Sequence, residues 1–237
     1  MKGFRLSVDR LAAPAVITRR SFVVGAAAAL AACQSERLPQ GATTLASSSG
    51  FDPAAMSMYG PLPNEKFPIE AIDLSYVDPR FYRSQVPTPP AIKAKPGSIV
   101  VSPGTRYLYY VLDSGQSMRY GVGVGRDGFR WSGDAVIKRK ESWPTWTPPP
   151  EMVKRDPLAA PFANGMLGGP DNPLGARALY LYQGENDTLY RIHGTTEPWT
   201  IGQAVSSGCI RLINHDIIDL HSRVAIGTGV HVLGDFA

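Results

Sequence analysis

One stretch of the chain decides how it folds and what it does: residues 192–212, which read IHGTTEPWTIGQAVSSGCIRL. It places His193 at the end of a predicted strand and Cys209 sixteen residues later, with turn-forming residues between them. A cysteine attacks a carbonyl as its thiolate, and an adjacent imidazole can take up the thiol proton. The pair therefore predicts a nucleophilic cysteine with a histidine base.

The residues beside the cysteine suit this chemistry. Gly208 lets the backbone bend so that amides can point at a developing oxyanion. Ser206 supplies a hydroxyl that can fix the loop or steer a substrate. Arg211 lies two residues past the cysteine, on the same side of an extended segment, where it can receive a carboxylate.

The cysteine count supports a reactive thiol. The chain has two cysteines, Cys33 near the N-terminus and Cys209. If export removes or modifies Cys33, Cys209 has no partner, which indicates a reactive role or an intermolecular bridge. An inert, buried cysteine is the alternative that the count alone leaves open. We expect no cofactor and no metal, because two ligands are too few and the other histidines lack zinc spacing.

Residues 1–33 are predicted to be an export signal. Thr18, a pair of arginines, Ser21 and Phe22 precede an apolar run of 10 residues that is too short to span a bilayer. The pattern resembles a twin-arginine signal, and residues 30–33 resemble a lipobox. Cleavage by an ordinary signal peptidase and lipidation of Cys33 both stay open. We expect a periplasmic or cell-envelope protein, lipid-anchored through Cys33 if that residue is modified.

The charge of the chain is concentrated in this leader. Residues 1–32 hold five basic residues and one acid, a surplus that equals the net charge of +4 of the whole chain. The remainder has no excess positive charge to offer to phosphates. We therefore expect no nucleic-acid partner.

The rest of the chain divides into a linker and a domain. Residues 34–96 contain ten prolines and predict a linker or arm, ordered around Ile69 to Arg83. Residues 97–237 alternate short apolar runs with turns, and residues 141–175 form a long Pro- and Gly-rich loop. Asn214 is the predicted N-cap of one late amphipathic helix that Gly227 ends. This pattern predicts a mainly β fold, a small sandwich or barrel with a single late helix.

Residues 192–212 resemble the signature of the bacterial L,D-transpeptidase catalytic domain family: His-Gly-Thr, a short run to Ile-Gly, then Ser-x-Gly-Cys-Ile-Arg. The resemblance extends over about 97–234. It implies a β-sandwich-like domain with the cysteine loop at one end and peptidoglycan stem peptides as substrates. Cys209 would attack the carbonyl before the terminal D-Ala and expel D-Ala as a thioester forms. An amine would resolve the thioester into a 3-3 crosslink or attach an envelope lipoprotein.

The match implies a role for each residue of the motif. It makes Cys209 the nucleophile and His193 its base. The supporting roles it implies are orientation of the imidazole by the carbonyl of Gly194, oxyanion binding by the amides of Gly208 and Cys209, and support of the loop or substrate by Ser206 and Arg211. Many family members have histidine where this chain has Ser207, so Ser207 is assigned no catalytic role.

Two other functions remain open. The same acyl-enzyme could be hydrolysed, which would make the protein a carboxypeptidase or a crosslink-cleaving enzyme. A non-catalytic peptidoglycan-binding lipoprotein is a third reading, against which the intact His193 and Cys209 count.

Overall fold

The computed structural model describes residues 52–126, 131–206 and 208–234. Within these residues most strands form one mixed sheet of nine, and two short strands pair separately. The strands are β1 (Ser84–Pro87), β2 (Ile99–Ser102), β3 (Tyr107–Val111), β4 (Gln116–Gly121), β5 (Val124–Gly125), β6 (Gly133–Ser142), β7 (Arg177–Gln183), β8 (Asn186–His193), β9 (Ala204–Ser206), β10 (Ile210–Arg211) and β11 (Gly229–Val232). The large sheet has the order β1-β4-β3-β2-β11-β6-β7-β8-β10, and β5 pairs with β9. The mainly β fold class predicted from the sequence is confirmed.

The core lies on one face of the sheet. β2 is buried at all four positions because it runs through the middle of the sheet. Its Ile99 and Val101 join the main apolar cluster, together with Leu179 and Leu181 of β7. Their spacing of two residues puts Ile99 and Val101 on the same face of the sheet, whereas Val100 is buried on the opposite face.

Three helices accompany the strands in the described part of the chain: α1 (Pro53–Met58), α2 (Pro150–Arg155) and α3 (Asn214–Arg223). Helix α3 is the predicted late helix, and its Ile217 and Leu220 are buried in the main cluster. The predicted N-cap was wrong: Ile213 caps the helix and Asn214 is its first residue. The side chain of Asn214 instead accepts a hydrogen bond from the Ala176 amide at 2.9 Å. The helix ends at Arg223, so the end predicted at Gly227 was also wrong, and Gly227 lies in the following turn.

Residues 52–87 fold onto the sheet. Helix α1 and two 3₁₀ turns, Leu74–Tyr76 and Pro79–Phe81, lead into β1, which pairs antiparallel with β4. Tyr59, Leu74 and Phe81 form a second apolar cluster with Ile201 and Ile213. The ring of Phe81 lies so close to Gly202 that a Cβ there would come within 2.2 Å of it.

The long loop after β6 has its own structure. It contains α2 and a 3₁₀ turn at Ala160–Phe162. The buried side chain of Asn172 holds the loop together by donating to the carbonyls of Pro144, Met166 and Leu167. Among the described residues, no helix is both long and apolar enough to cross a membrane.

Candidate active site

Two neighbouring strands bring the residues of interest to one face. β8 and β10 run parallel at the end of the sheet, with Ile192 opposite Ile210 and His193 opposite Arg211. Both isoleucines are buried in the main cluster, so the residues that alternate with them face the other way. The side chains that share this outer face are Arg191, His193, Cys209 and Arg211.

His193 is buried and has a fixed orientation. Its Nδ1 lies 2.6 Å from the carbonyl oxygen of Gly194. A carbonyl can only accept, so Nδ1 carries a proton here. A second backbone bond, to Leu174, also holds the ring. Burial, and next the positive charge of Arg211, together lower the pKa of His193 to about 4. The imidazole is therefore neutral at physiological pH, as a general base must be.

The carbonyl that orients His193 is itself tightly held. A Cβ on Gly194 would come within 2.2 Å of Asn214 Oδ1, and a Cβ on Gly175 would meet the same oxygen at 2.2 Å. Gly175 has a φ of 63°, a left-handed conformation that favours glycine. The Gly194 amide also donates to the carbonyl of Arg177 at 3.1 Å. These contacts leave Gly194 no room to move.

Cys209 is a free, half-buried cysteine immediately before β10. Its Sγ donates to the carbonyl of Leu189 at 3.9 Å. Burial raises the pKa of the thiol, whereas the backbone N–H and the charge of Arg191 and the charge of Arg211 act to lower it. The thiol and the imidazole are therefore both neutral at rest, and the ion pair that the sequence suggested would form only during reaction.

The loop before the nucleophile is held by its own hydrogen bonds. Ser206 is buried, and its hydroxyl donates to the Cys209 carbonyl at 2.6 Å. The Gly208 amide donates to the same hydroxyl oxygen at 3.2 Å, and Gly208 has a φ of 116°. Ser206 thus supports the loop. Its hydroxyl also accepts a hydrogen bond from the Gly208 amide, one of the two amides expected to bind an oxyanion. Ser207 lies outside the described residues.

Arg211 already has a carboxylate partner. Its Nη1 lies 2.8 Å from Oε2 of Glu197, whose side chain is 46% exposed. Glu197 belongs to the loop that joins the base to the nucleophile. A substrate carboxylate that binds Arg211 would therefore compete with the carboxylate of Glu197.

Sequence reasoning missed Arg191, Glu197 and Asn214 as residues of the site. Strand alternation was a usable signal for Arg191, because it lies two residues before His193. Nothing in the local pattern indicated the other two contacts, which depend on tertiary packing. Among residues 52–126, 131–206 and 208–234, no three His, Cys, Asp or Glu side chains cluster as a metal site requires.

Comparison with known proteins defines the class. The model of the YkuD family, described as the L,D-transpeptidase catalytic domain, matches residues 96–232. The chain therefore belongs to the YkuD family of L,D-transpeptidase catalytic domains, a family that acts on peptidoglycan peptides. The resemblance found in residues 192–212 is thereby confirmed.

Two curated relatives have names that agree with this assignment. The chain is 38% identical over 143 residues to Probable L,D-transpeptidase ErfK/SrfK of Escherichia coli, with 58% of this chain and 44% of that protein covered. It is 35% identical over 144 residues to Probable L,D-transpeptidase YbiS of Escherichia coli, covering 59% and 45%. The chain thus spans about half the length of the curated relatives it matches. A crystal structure from Brucella melitensis named probable carnitine operon oxidoreductase caia is 49% identical, covers 68% of this chain and 99% of its own, and has a TM-score of 0.46.

Proposed function

We propose that this protein is an L,D-transpeptidase that acts on peptidoglycan tetrapeptide stems through a thioester on Cys209. The observation that supports the proposal is the shared face of β8 and β10, to which strand alternation assigns both Cys209 and His193, with Nδ1 of His193 facing the Gly194 carbonyl. Membership of the YkuD family supports the substrate class.

The first half of the reaction forms the acyl-enzyme. Nε2 of His193 takes the thiol proton as Sγ of Cys209 attacks the carbonyl between the diamino acid and the terminal D-Ala. A tetrahedral oxyanion forms and collapses, the C–N bond breaks, and the imidazolium returns its proton to the departing amine of D-Ala. An imidazolium in a site that lowers its pKa gives up this proton readily.

The oxyanion is proposed to be bound by the backbone amides of Gly208 and Cys209. The Gly208 amide now bonds to the Ser206 hydroxyl, so it must turn or share that bond when the oxyanion forms. Preorganised amides of this kind are worth about 3–4 kcal/mol of transition-state stabilisation each. Ser206 and Arg211 are proposed to support the loop or the substrate.

The second half transfers the acyl group. An amine, from the diamino acid of another stem or from an envelope protein, attacks the thioester carbonyl and gives its proton to His193. The new amide forms as the C–S bond breaks and Cys209 recovers its proton. Water in place of the amine would give hydrolysis.

The test is incubation of the protein with a disaccharide-tetrapeptide, followed by mass spectrometry. A crosslinked dimer whose mass equals two tetrapeptide stems less one D-Ala supports transfer. A tripeptide indicates that an acyl-enzyme forms and that water hydrolyses it. Cys209→Ser should abolish both products while the matched Cys33→Ser variant retains them. An unchanged tetrapeptide with the unsubstituted protein would refute the enzymatic proposal and favour a binding module.

We also propose that residues 1–33 direct export through a twin-arginine route to the periplasm or cell envelope, with or without a lipid on Cys33. Replacing Arg19 and Arg20 by lysine should retain the protein inside the cell. Cys33→Ser separates the two processing routes, because it abolishes membrane association only if Cys33 carries lipid. Export that is indifferent to both arginines would contradict this proposal.

A further inference from the structure

Arg191 is a charged residue of the site that the signature does not include. Strand register places it on the outer face of β8 with His193, one position before the buried Ile192. It stands opposite Cys209 when the pairing of Ile192 with Ile210 is continued by one residue. Arg191 and Cys209 therefore occupy opposed positions on neighbouring strands.

The guanidinium of Arg191 is clamped. It forms two parallel bonds to the Asp187 carboxylate, Nη1 to Oδ1 at 2.6 Å and Nη2 to Oδ2 at 2.8 Å. Nη1 also donates to the Tyr190 carbonyl at 2.9 Å. Its carbon Cζ lies 4.4 Å from the centroid of the Tyr180 ring. Bidentate pairing and stacking on an aromatic ring are the geometry in which arginine is least mobile.

Arg139 offers an internal comparison. It also stacks on Tyr180, with Cζ 4.4 Å from the ring centroid, and it pairs with Glu141 on β6. The two arginines thus share one aromatic ring, but only Arg191 is on the strand that adjoins Cys209.

Charged and titratable groups from both strands lie near Cys209. β8 contributes Arg191, Asp187 and the hydroxyl of Tyr190, and β10 contributes Arg211. Arg191 and Arg211 also act together on His193. Glu197 offsets Arg211 directly, and Asp187 offsets Arg191.

We infer that Arg191 is a positioning residue of the acyl-transfer site, whose clamped positive charge and backbone N–H favour negative charge on the sulfur of Cys209 and keep His193 unprotonated. This role in acyl transfer rests on the proposed function. A fixed cation favours the anionic sulfur left when the thiol proton moves to His193, and it hastens return of that proton to the leaving amine. Because Asp187 and Tyr180 hold the guanidinium in place beforehand, little reorganisation is needed when the charge develops.

The test measures the thiol directly. The rate at which iodoacetamide alkylates Cys209 is followed against pH by mass spectrometry, in the full chain carrying Cys33→Ser so that one thiol remains. Arg191→Met should shift the midpoint of this profile upward and slow alkylation at pH 7 by about 3–10-fold, since a tenfold change corresponds to one pKa unit. Arg191→Lys, which keeps the charge, should stay within about twofold of the unsubstituted profile.

Arg139→Met is the matched control, because it removes a cation from the same Tyr180 ring. Its alkylation profile should not move. An unshifted midpoint in Arg191→Met, or an equal shift in Arg139→Met, would overturn the inference. Urea unfolding of each variant identifies a folding defect. If Arg191→Met has one, Arg191→Gln replaces it and should show the same upward shift.

The outcome is separable from that of the proposed function. If Arg191→Met shifts the thiol midpoint but the unsubstituted protein leaves tetrapeptide stems unchanged, the proposed function fails and the charge-setting role stands. If stems are processed and the midpoint does not move, the proposed function stands and the role of Arg191 fails.

Discussion

Gly175→Ala tests whether the backbone behind His193 is as tightly packed as the structure indicates. Gly175 has a φ of 63°, and an added Cβ would lie 2.2 Å from Asn214 Oδ1, 2.7 Å from the Gly194 carbonyl carbon and 2.8 Å from the Thr195 amide nitrogen. Two of these three atoms belong to the backbone and cannot rotate away. The substitution must therefore displace Gly194, whose carbonyl fixes the imidazole.

The loss in the free energy of unfolding has two parts. A left-handed conformation costs a non-glycine residue about 1–2 kcal/mol. Overpacking adds about 1–3 kcal/mol. Gly184→Ala provides the first part alone, because Gly184 has a φ of 55° and nothing within 4 Å of an added Cβ. The difference between the two variants should therefore be about 1–3 kcal/mol.

Urea unfolding measures this difference, and the stem assay measures its effect on activity. Displacing the carbonyl by about 1 Å should release the imidazole and reduce turnover by about 100-fold, as a misplacement of that size can do. Gly184→Ala should retain full turnover. Equal unfolding losses in the two variants, or full turnover in Gly175→Ala, would refute the reasoning.

Three further predictions concern charge. The kcat/KM of the stem reaction should hold as the pH falls from 7 to 5 and decline with a midpoint near pH 4, because the pKa of the base His193 is lowered to about 4; a midpoint near 6.5 would contradict a buried base. Asp216 is buried, and burial raises its pKa from 3.8 to about 7 despite the Arg83 guanidinium 3.6 Å away. Because the folded state binds this proton more tightly, the free energy of unfolding should fall between pH 4 and 7 by at most about 4 kcal/mol, and Asp216→Asn should remove that decline in urea titrations at several pH values. If Arg211 receives a substrate carboxylate, Glu197→Gln should lower the KM for the donor stem by about two- to fivefold, which corresponds to the free energy of an exposed ion pair. Steady-state kinetics measures this KM, and an unchanged value would exclude that role of Arg211.

The sequence was sufficient for the parts of the fold that rest on local pattern. Short apolar runs separated by turns predicted a series of strands in residues 97–237, and β3 and β7 are two of these. The late helix was predicted to be amphipathic, and Ile217 and Leu220 on the apolar side of α3 are buried. The motif at residues 192–212 predicted the family, because its residue types serve one chemistry at fixed spacing.

The remaining features depend on contacts between distant segments. β10 has two residues and is defined by its pairing with β8 and by the bridge of Arg211 to Gly123, so no periodicity could indicate it. Asparagine is a favourable N-cap residue, yet the side chain of Asn214 accepts a hydrogen bond from the Ala176 amide instead. The ion pair of Arg211 with Glu197 depends on how the intervening loop folds back. Prolines in residues 34–96 indicated a linker or arm, but two of them, Pro53 and Pro79, begin short helical turns, where a fixed φ is favourable.

The folded segment before residue 97 bears on how the protein should be prepared. Phe81 fills the space that Gly121 and Gly202 leave open, and the ring of Tyr76 lies 6.0 Å from that of Trp199 in the loop that leads to Cys209. A protein truncated to start at residue 97 would lack the residues that pack against this loop. It would also lack β1, which would leave β4 at the edge of the sheet, paired only with β3. Unpaired strand edges promote pairing with other chains and aggregation. The shorter protein should therefore aggregate and lose activity even with every motif residue in place, and purified material should begin no later than residue 52.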